Sequence, residues 1–223
     1  MNKLLILDGE APTYEAELRK KDLPDLKSDI ARDVKAAEPL LREVEIIFGT
    51  PALVAEVVHR APQLKWVQST YAGVEQLCQP DLPRSYLLTG IKELFGVFMR
   101  EYVFAYILAR ERSLLETHKN QQKKIWSRID YRSLNRATIG IVGLGSIGTQ
   151  IARTAHHFDM RVLGMKRTAG RIDYVDHLYM THEMEAFLPQ LDYLVLVLPD
   201  TVESKNFIAA KELELLPPGA VLI

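Results

Sequence analysis

The stretch A-T-I-G-I-V-G-L-G-S-I-G-T-Q-I-A-R-T-A-H-H-F-D-M-R-V-L-G-M-K-R-T, residues 137–168, decides the fold. It opens on a short apolar, β-branched run, Ile139 to Val142, of the length of a buried strand. Gly143, Gly145 and Gly148 follow with the spacing G-x-G-x-x-G. The apolar period then becomes helical, placing Ile147, Ile151 and Ala155 on one face, and a second apolar strand runs from Met160 to Met165. Strand, glycine turn, helix and strand within about 30 residues is the setting in which this spacing signifies a dinucleotide site. Gly143 serves the tight turn, Gly145 lets the backbone approach a pyrophosphate, and Gly148 lets helix and strand pack closely. The helix start offers unpaired N–H groups and a positive dipole end to the phosphates.

The residues after the second strand speak to the type of nucleotide. A carboxylate about 20 residues beyond the glycines would bind a ribose 2′-hydroxyl. Here the place reads Met165-Lys166-Arg167-Thr168, and the next acid is Asp173. A guanidinium and a hydroxyl can hold a 2′-phosphate that a carboxylate would repel. The strip predicts NADP(H) in preference to NAD(H), carried by Lys166, Arg167 and Thr168.

The 223 residues suffice for one large or two small domains with a sizeable core. Lys and Arg number 28 against 29 Asp and Glu, so no basic excess points to nucleic acid or an anionic membrane surface. Cys78 is the only cysteine, which excludes an internal disulfide and fits a reducing compartment; a half-buried packing thiol is expected. The apolar run at the N-terminus is too short for a signal peptide, and no run approaches the 18 residues of a membrane span. A cytoplasmic protein is expected.

In chain order, Leu4–Leu7 reads as a strand ended by Asp8-Gly9, and Tyr14 to Lys21 as an exposed helix. Residues 22–44, broken by Pro24 and Pro39, read only as mixed strand and helix. Glu45–Gly49 is a strand, Pro51 opens a helix, and Leu64–Thr70 and Tyr86–Thr89 are further strands. This alternation predicts a parallel α/β sheet over residues 1–90, whose ligands belong beyond the carboxyl ends of the strands, where Gly73 lies. A long helical pattern from about Val97 to Lys124 reads as a bridge between two α/β units and not as a core element of either. After the glycine unit come a short strand at His177–Met180, a helix at Met184–Leu191, a strongly apolar strand at Tyr193–Leu198, a helix through Phe207 to Leu216 and a last strand at Ala220–Ile223.

These residues, in this order, resemble the D-isomer-specific 2-hydroxyacid dehydrogenases, nearest to glyoxylate/hydroxypyruvate reductase-like members. The markers are Tyr71-Ala72-Gly73-Val74-Glu75, Phe95-Gly96 with Arg100-Glu101-Tyr102, and Trp126 ahead of Gly143–Gly148. Leu198-Pro199-Asp200-Thr201 and Pro218–Ile223 complete the set. The resemblance covers essentially the whole chain. It implies an α/β protein: a flavodoxin-like parallel α/β substrate domain at residues 1–96, without its C-terminal return segment, and an incomplete Rossmann dinucleotide-binding domain at 97–223, the two joined by a long helix. It also implies a small 2-oxo or 2-hydroxy acid as substrate, held by backbone amides of Ala72, Gly73 and Val74, with Arg100 the one cation near it. Ser146 and Ile147 would contact the pyrophosphate, Leu198 and Pro199 would flank the cofactor, and the protein would be a homodimer. Tyr71 stands where a smaller residue is usual, which would narrow the substrate pocket.

The family's catalytic arginine, glutamate and general acid/base histidine follow the strand matching Ala220–Ile223, so the resemblance places them beyond Ile223 and implies a truncated chain. A reductase of this kind needs an acid for the new alkoxide and a cation at the carbonyl oxygen. None of His59, His118, His156, His157, His177 and His182 has the setting to replace them. His182-Glu183 begins like a zinc-protease motif but has Ala186 where the second histidine is required, and no metal site is expected. Two readings follow: an NADP-preferring 2-hydroxyacid dehydrogenase whose residues 1–223 are inactive alone, or a catalytically inactive nucleotide-binding or interaction protein.

Overall fold

The computed structural model describes residues 1–223, which form two compact units, Met1–Lys92 and Glu93–Ile223. The first contains strands β1 (Asn2–Leu7), β2 (Leu26–Ala31), β3 (Ile46–Gly49), β4 (Trp66–Ser69) and β5 (Leu87–Thr89). Helices α1 (Ala11–Leu18), α2 (Val34–Ala37) and α3 (Pro51–Val57) connect them. The sheet is parallel throughout, in the order β2-β1-β3-β4-β5, a flavodoxin-like arrangement with its reversal of direction between β1 and β3. Alternate residues of β1 face opposite ways, as the pleat requires. Leu5 and Leu7 join Ile47, Val54, Val57 and Val67 in one core, and Leu4 and Ile6 pack with Tyr14, Leu18 and Phe48 in the other. Pro51 occupies the first turn of α3, where its missing N–H costs nothing. The ambiguous residues 22–44 hold β2, α2 and a short 3-10 turn at Glu38–Leu40.

The second unit contains α4 (Gly96–Glu111), α5 (Leu114–Gln122), β6 (Thr138–Val142), α6 (Ser146–His157), β7 (Arg161–Lys166) and β8 (His177–Met180). It continues with α7 (Met184–Phe187), β9 (Tyr193–Leu196), α8 (Ala210–Glu214) and β10 (Val221–Leu222). Its sheet is also parallel, in the order β10-β9-β6-β7-β8. This is the Rossmann pattern, with the reversal between β6 and β9. Ile139 and Ile141 of β6 and Ile151, Ala152 and Ala155 of α6 share one fully buried core with Val162 and Tyr193.

The single bridging helix expected over Val97–Lys124 is instead two helices, and the first belongs to the core. Val103, Phe104 and Ile107 of α4 are buried in the second unit's core. The chain breaks at Ser113, whose φ of 48° is left-handed, and no residue of α5 is buried. The polar second half of α5 gives it no apolar face to dock, so local bonds along the helix do most to hold it. Glu111, the last residue of α4, is buried and accepts hydrogen bonds from Tyr193 Oη and from Arg132 Nε (3.0 Å). Arg132 Nη1 also donates to Asp192 Oδ1 (2.8 Å), and Asp192 Oδ2 accepts from the Thr138 amide at the start of β6 (2.7 Å). Burial and the adjoining Glu111 carboxylate push the Tyr193 hydroxyl well above its ordinary range.

Strand β9 is shorter than the apolar run suggests. Val197 still donates to Val142 O (2.8 Å), but Pro199 follows and ends the ladder. The helix expected from Phe207 begins only at Ala210, because residues 201–208 wind through turns. Cys78, expected half-buried, is exposed at the end of a 3-10 turn, Glu75–Cys78. No helix is long and apolar enough to cross a membrane.

Candidate functional site

At the carboxyl ends of β6, β7 and β9 the second unit has a cavity of about 410 Å³. Gly143, Gly145, Met165, Lys166, Arg167, Thr181, Leu198, Pro199, Thr201, Glu203 and Ser204 contribute to its wall. The reversal between β6 and β9 produces it, since successive connections leave the sheet on opposite sides there and the strand ends are not roofed.

The three glycines meet three different surroundings. Gly143 has a φ of +96°, and a Cβ on it would lie 2.2 Å from the Val197 carbonyl oxygen, so both its conformation and its space exclude a side chain. A Cβ on Gly148 would stand 2.0 Å from the Gly143 carbonyl oxygen, which shows how closely the first turn of α6 packs on the loop. Gly145 faces open space, with nothing within 4 Å of where a Cβ would be. Gly145 is also the N-cap of α6, and no side chain caps that helix. The first N–H groups of α6, including those of exposed Ser146 and half-buried Ile147, therefore lack a side-chain acceptor at the helix's positive end. A pyrophosphate fits this cradle: backbone donors, no obstructing side chain and an adjacent cavity.

Lys166 ends β7, half-buried, and Arg167 follows it, exposed; both line the cavity, and neither takes part in an ion pair within 4 Å. Thr168 is exposed just past them and outside the wall. Leu198 and Pro199 close the cavity on the β9 side. Two wall residues, Thr181 and Glu203, carry no signal in the linear sequence, because only the strand order brings the loops after β8 and β9 to this cavity.

The loop carrying Ala72, Gly73 and Val74 leaves β4 of the first unit. Ala72 and Gly73 are exposed and Val74 half-buried. The preceding turn is pinned from both sides. Tyr71 N donates to Ser69 Oγ (2.9 Å), Ser69 Oγ donates to Tyr71 O (2.8 Å), and Ile91 N donates to Tyr71 O (3.3 Å). The Tyr71 side chain itself is 56% exposed. The Glu75 carboxylate folds back over Gly73, 2.7 Å from where a Cβ would be. Beside this loop, buried Asp8 at the end of β1 accepts from Thr50 Oγ1 (2.6 Å), Thr70 Oγ1 (3.0 Å) and the Glu10 amide (2.9 Å). Sequence reading missed this carboxylate; its signal was position, an acid directly after a first buried strand.

Arg100 lies on α4 and donates from Nη1 to Gln150 Oε1 (3.2 Å). It lines a separate surface pocket of the second unit with Glu101, Phe104, Arg153, Thr154 and His157. All six histidines are exposed, His118 beside Gln122 and His157 against the Arg153 carbonyl. No group of three or more His, Cys, Asp or Glu side chains is placed to hold a metal ion.

Comparison with known proteins adds an independent line. The sequence model described as D-isomer specific 2-hydroxyacid dehydrogenase, NAD binding domain, matches residues 104–223. A crystal structure of a D-isomer specific 2-hydroxyacid dehydrogenase family protein from Aeromonas salmonicida is 36% identical, with a TM-score of 0.94; the match covers 99% of this chain and 71% of that one. An NADPH-dependent glyoxylate/hydroxypyruvate reductase from Sinorhizobium meliloti, solved with NADP and sulfate, is 25% identical with a TM-score of 0.81, over 97% of this chain and 68% of that one. Among curated proteins, a glyoxylate reductase of Thermococcus gammatolerans is 26% identical over 94% of this chain and 64% of its own length. The chain thus spans less than two thirds of that relative.

Proposed function

The chain belongs to the D-isomer specific 2-hydroxyacid dehydrogenase family, and from that premise we propose that its second unit binds a nicotinamide dinucleotide, NADP(H) in preference to NAD(H). The whole protein would use it to reduce a small 2-oxo acid of the glyoxylate or hydroxypyruvate type. The observation that carries the reading is the cavity at the β6–β9 reversal, whose wall holds Gly145, the open N-cap of the uncapped helix α6, together with Lys166 and Arg167. The amides of Ser146 and Ile147 hold the pyrophosphate, Gly143, Gly145 and Gly148 keep it within reach, and Leu198 and Pro199 pack against the cofactor. Lys166, Arg167 and Thr168 serve the 2′-phosphate, where two cations without ion-pair partners favour a dianion.

When bound, the cofactor supplies the hydride. The remaining tasks fall to protein groups: holding the substrate carboxylate, polarising its carbonyl and delivering a proton. We assign the first to the amides of Ala72, Gly73 and Val74; Arg100, bonded to Gln150 in its own surface pocket, is given no part in it. For proton delivery the chain offers no histidine in place: none of the six exposed histidines lies on the wall of the second-unit cavity or on the 71–75 loop. Residues 1–223 are therefore proposed to bind cofactor without turnover. Titrating NADPH and NADH into residues 1–223, followed by nicotinamide fluorescence, tests both parts together with a glyoxylate assay. The expected result is tighter NADPH binding and no oxidation of NADPH. Tighter NADH binding would reject the preference, and steady turnover would reject the inactivity. Specific binding without catalysis by any longer product of the same gene would favour a nucleotide-binding protein that is not an enzyme.

A further inference from the structure

The cavity that faces Lys166 and Arg167 also contains a carboxylate, and it comes from the opposite side of the reversal. Glu203 sits on the turn after β9, and that turn is closed by a set of local hydrogen bonds. Thr201 N donates to Ser204 Oγ (2.9 Å), Ser204 N donates to Thr201 Oγ1 (3.3 Å), and Ser204 Oγ donates onward to Pro199 O (2.5 Å). Ser204 N and Lys205 N close the turn on Thr201 O at 3.2 and 3.1 Å. These bonds define the backbone of the turn that carries the Glu203 side chain. Its own backbone N–H and the Thr201 hydroxyl, with a further contribution from Arg167, hold the Glu203 carboxyl below its ordinary range, so it is ionised at neutral pH.

The charged side chains on the wall of this cavity are therefore two cations, Lys166 and Arg167, and one carboxylate, Glu203. A 2′-phosphate brought to Lys166 and Arg167 meets repulsion from Glu203, whereas a 2′-hydroxyl offers that carboxylate a donor. The strip after β7 lacks the acid that would favour NAD(H); the turn after β9 supplies one from 36 residues further along the chain. We propose that Glu203 is a second specificity determinant of this cavity, opposing a 2′-phosphate at the Lys166–Arg167 pair and so restricting the preference for NADP(H) to a modest factor. The inference rests on the reading that the cavity takes a nicotinamide dinucleotide.

Glu203→Gln keeps the size of the side chain and removes only the charge. In residues 1–223 the substitution is expected to tighten NADPH about tenfold and to leave NADH unchanged or up to about threefold weaker, a charge effect of the order expected near a protein surface. The ratio of the two dissociation constants is the readout, and equal melting temperatures of the two proteins without ligand confirm that folding is not the cause. A ratio unchanged by the substitution, with both cofactors still binding, overturns the role of Glu203 and leaves the cofactor reading intact. Failure of the unsubstituted protein to bind either cofactor overturns both.

Discussion

The two units are built on the same plan, five parallel strands with one reversal of direction, yet their strand ends are finished in opposite ways. In the first unit the reversal between β1 and β3 is filled by the protein's own groups: Asp8 is buried and accepts three hydrogen bonds, two of them from the hydroxyls of Thr50 and Thr70. In the second the reversal between β6 and β9 is left open, with glycine where a side chain would block it and helix N–H groups without a side-chain acceptor. Topology supplies the place for a ligand, and residue chemistry decides whether the place is sealed or available. The sealed end makes a rigid base for the loop at residues 69–75, and the open end makes a cavity.

Three substitutions test that contrast. Gly148→Ala should do most damage, because its methyl group would overlap the Gly143 carbonyl oxygen and the backbone cannot yield without opening the turn. A loss of about 3 kcal/mol in the second unit is expected, with loss of NADPH binding, read by urea unfolding and cofactor titration. Asp8→Ala should cost about 2 kcal/mol in the first unit, since Thr50, Thr70 and the Glu10 amide lose their acceptor. NADPH affinity should be unchanged; a fall would mean that the sealed end is not merely structural. Gly145→Ala should be nearly silent in stability, within about 0.5 kcal/mol, because a methyl group there meets nothing. It should still weaken NADPH by about tenfold by standing where the pyrophosphate lies. If Gly145→Ala and Gly148→Ala behaved alike, the assignment of open and closed faces to this loop would be wrong.

The parts of this design that are local in sequence were readable before the structure. Strand, glycine turn and helix at residues 139–157 are encoded by contiguous patterns, and Gly143, Gly145, Lys166 and Arg167, read from that unit, line one cavity with Leu198 and Pro199, which the family resemblance supplied. Glu203 and Thr181 were not legible, because only the order in which strands pair places their loops beside Lys166 and Arg167. Short-range spacing places such an acid directly after the second strand of the glycine unit, whereas the carboxylate on the cavity wall arrives from the turn after β9. The helix over Val97–Lys124 misled for a related reason. Helical periodicity persists through Arg112 and Ser113, and nothing in those two residue types demands a left-handed break there. Which half carries the core follows from contact with α6, visible where a Cβ on Gly96 would press against the Gln150 side chain.

That break at Ser113 divides one apparent helix into two populations of backbone amides. Those of α4 around Val103, Phe104 and Ile107 sit within the packed core and open only when the second unit does, so their protons should be retained for as long as the unit is folded. Those of α5, with no buried residue and a polar sequence, open by fraying, independently of the rest. A proteolytic cut or an inserted tag at residues 114–124 would then leave the dinucleotide cavity standing, and the same change ten residues earlier would not.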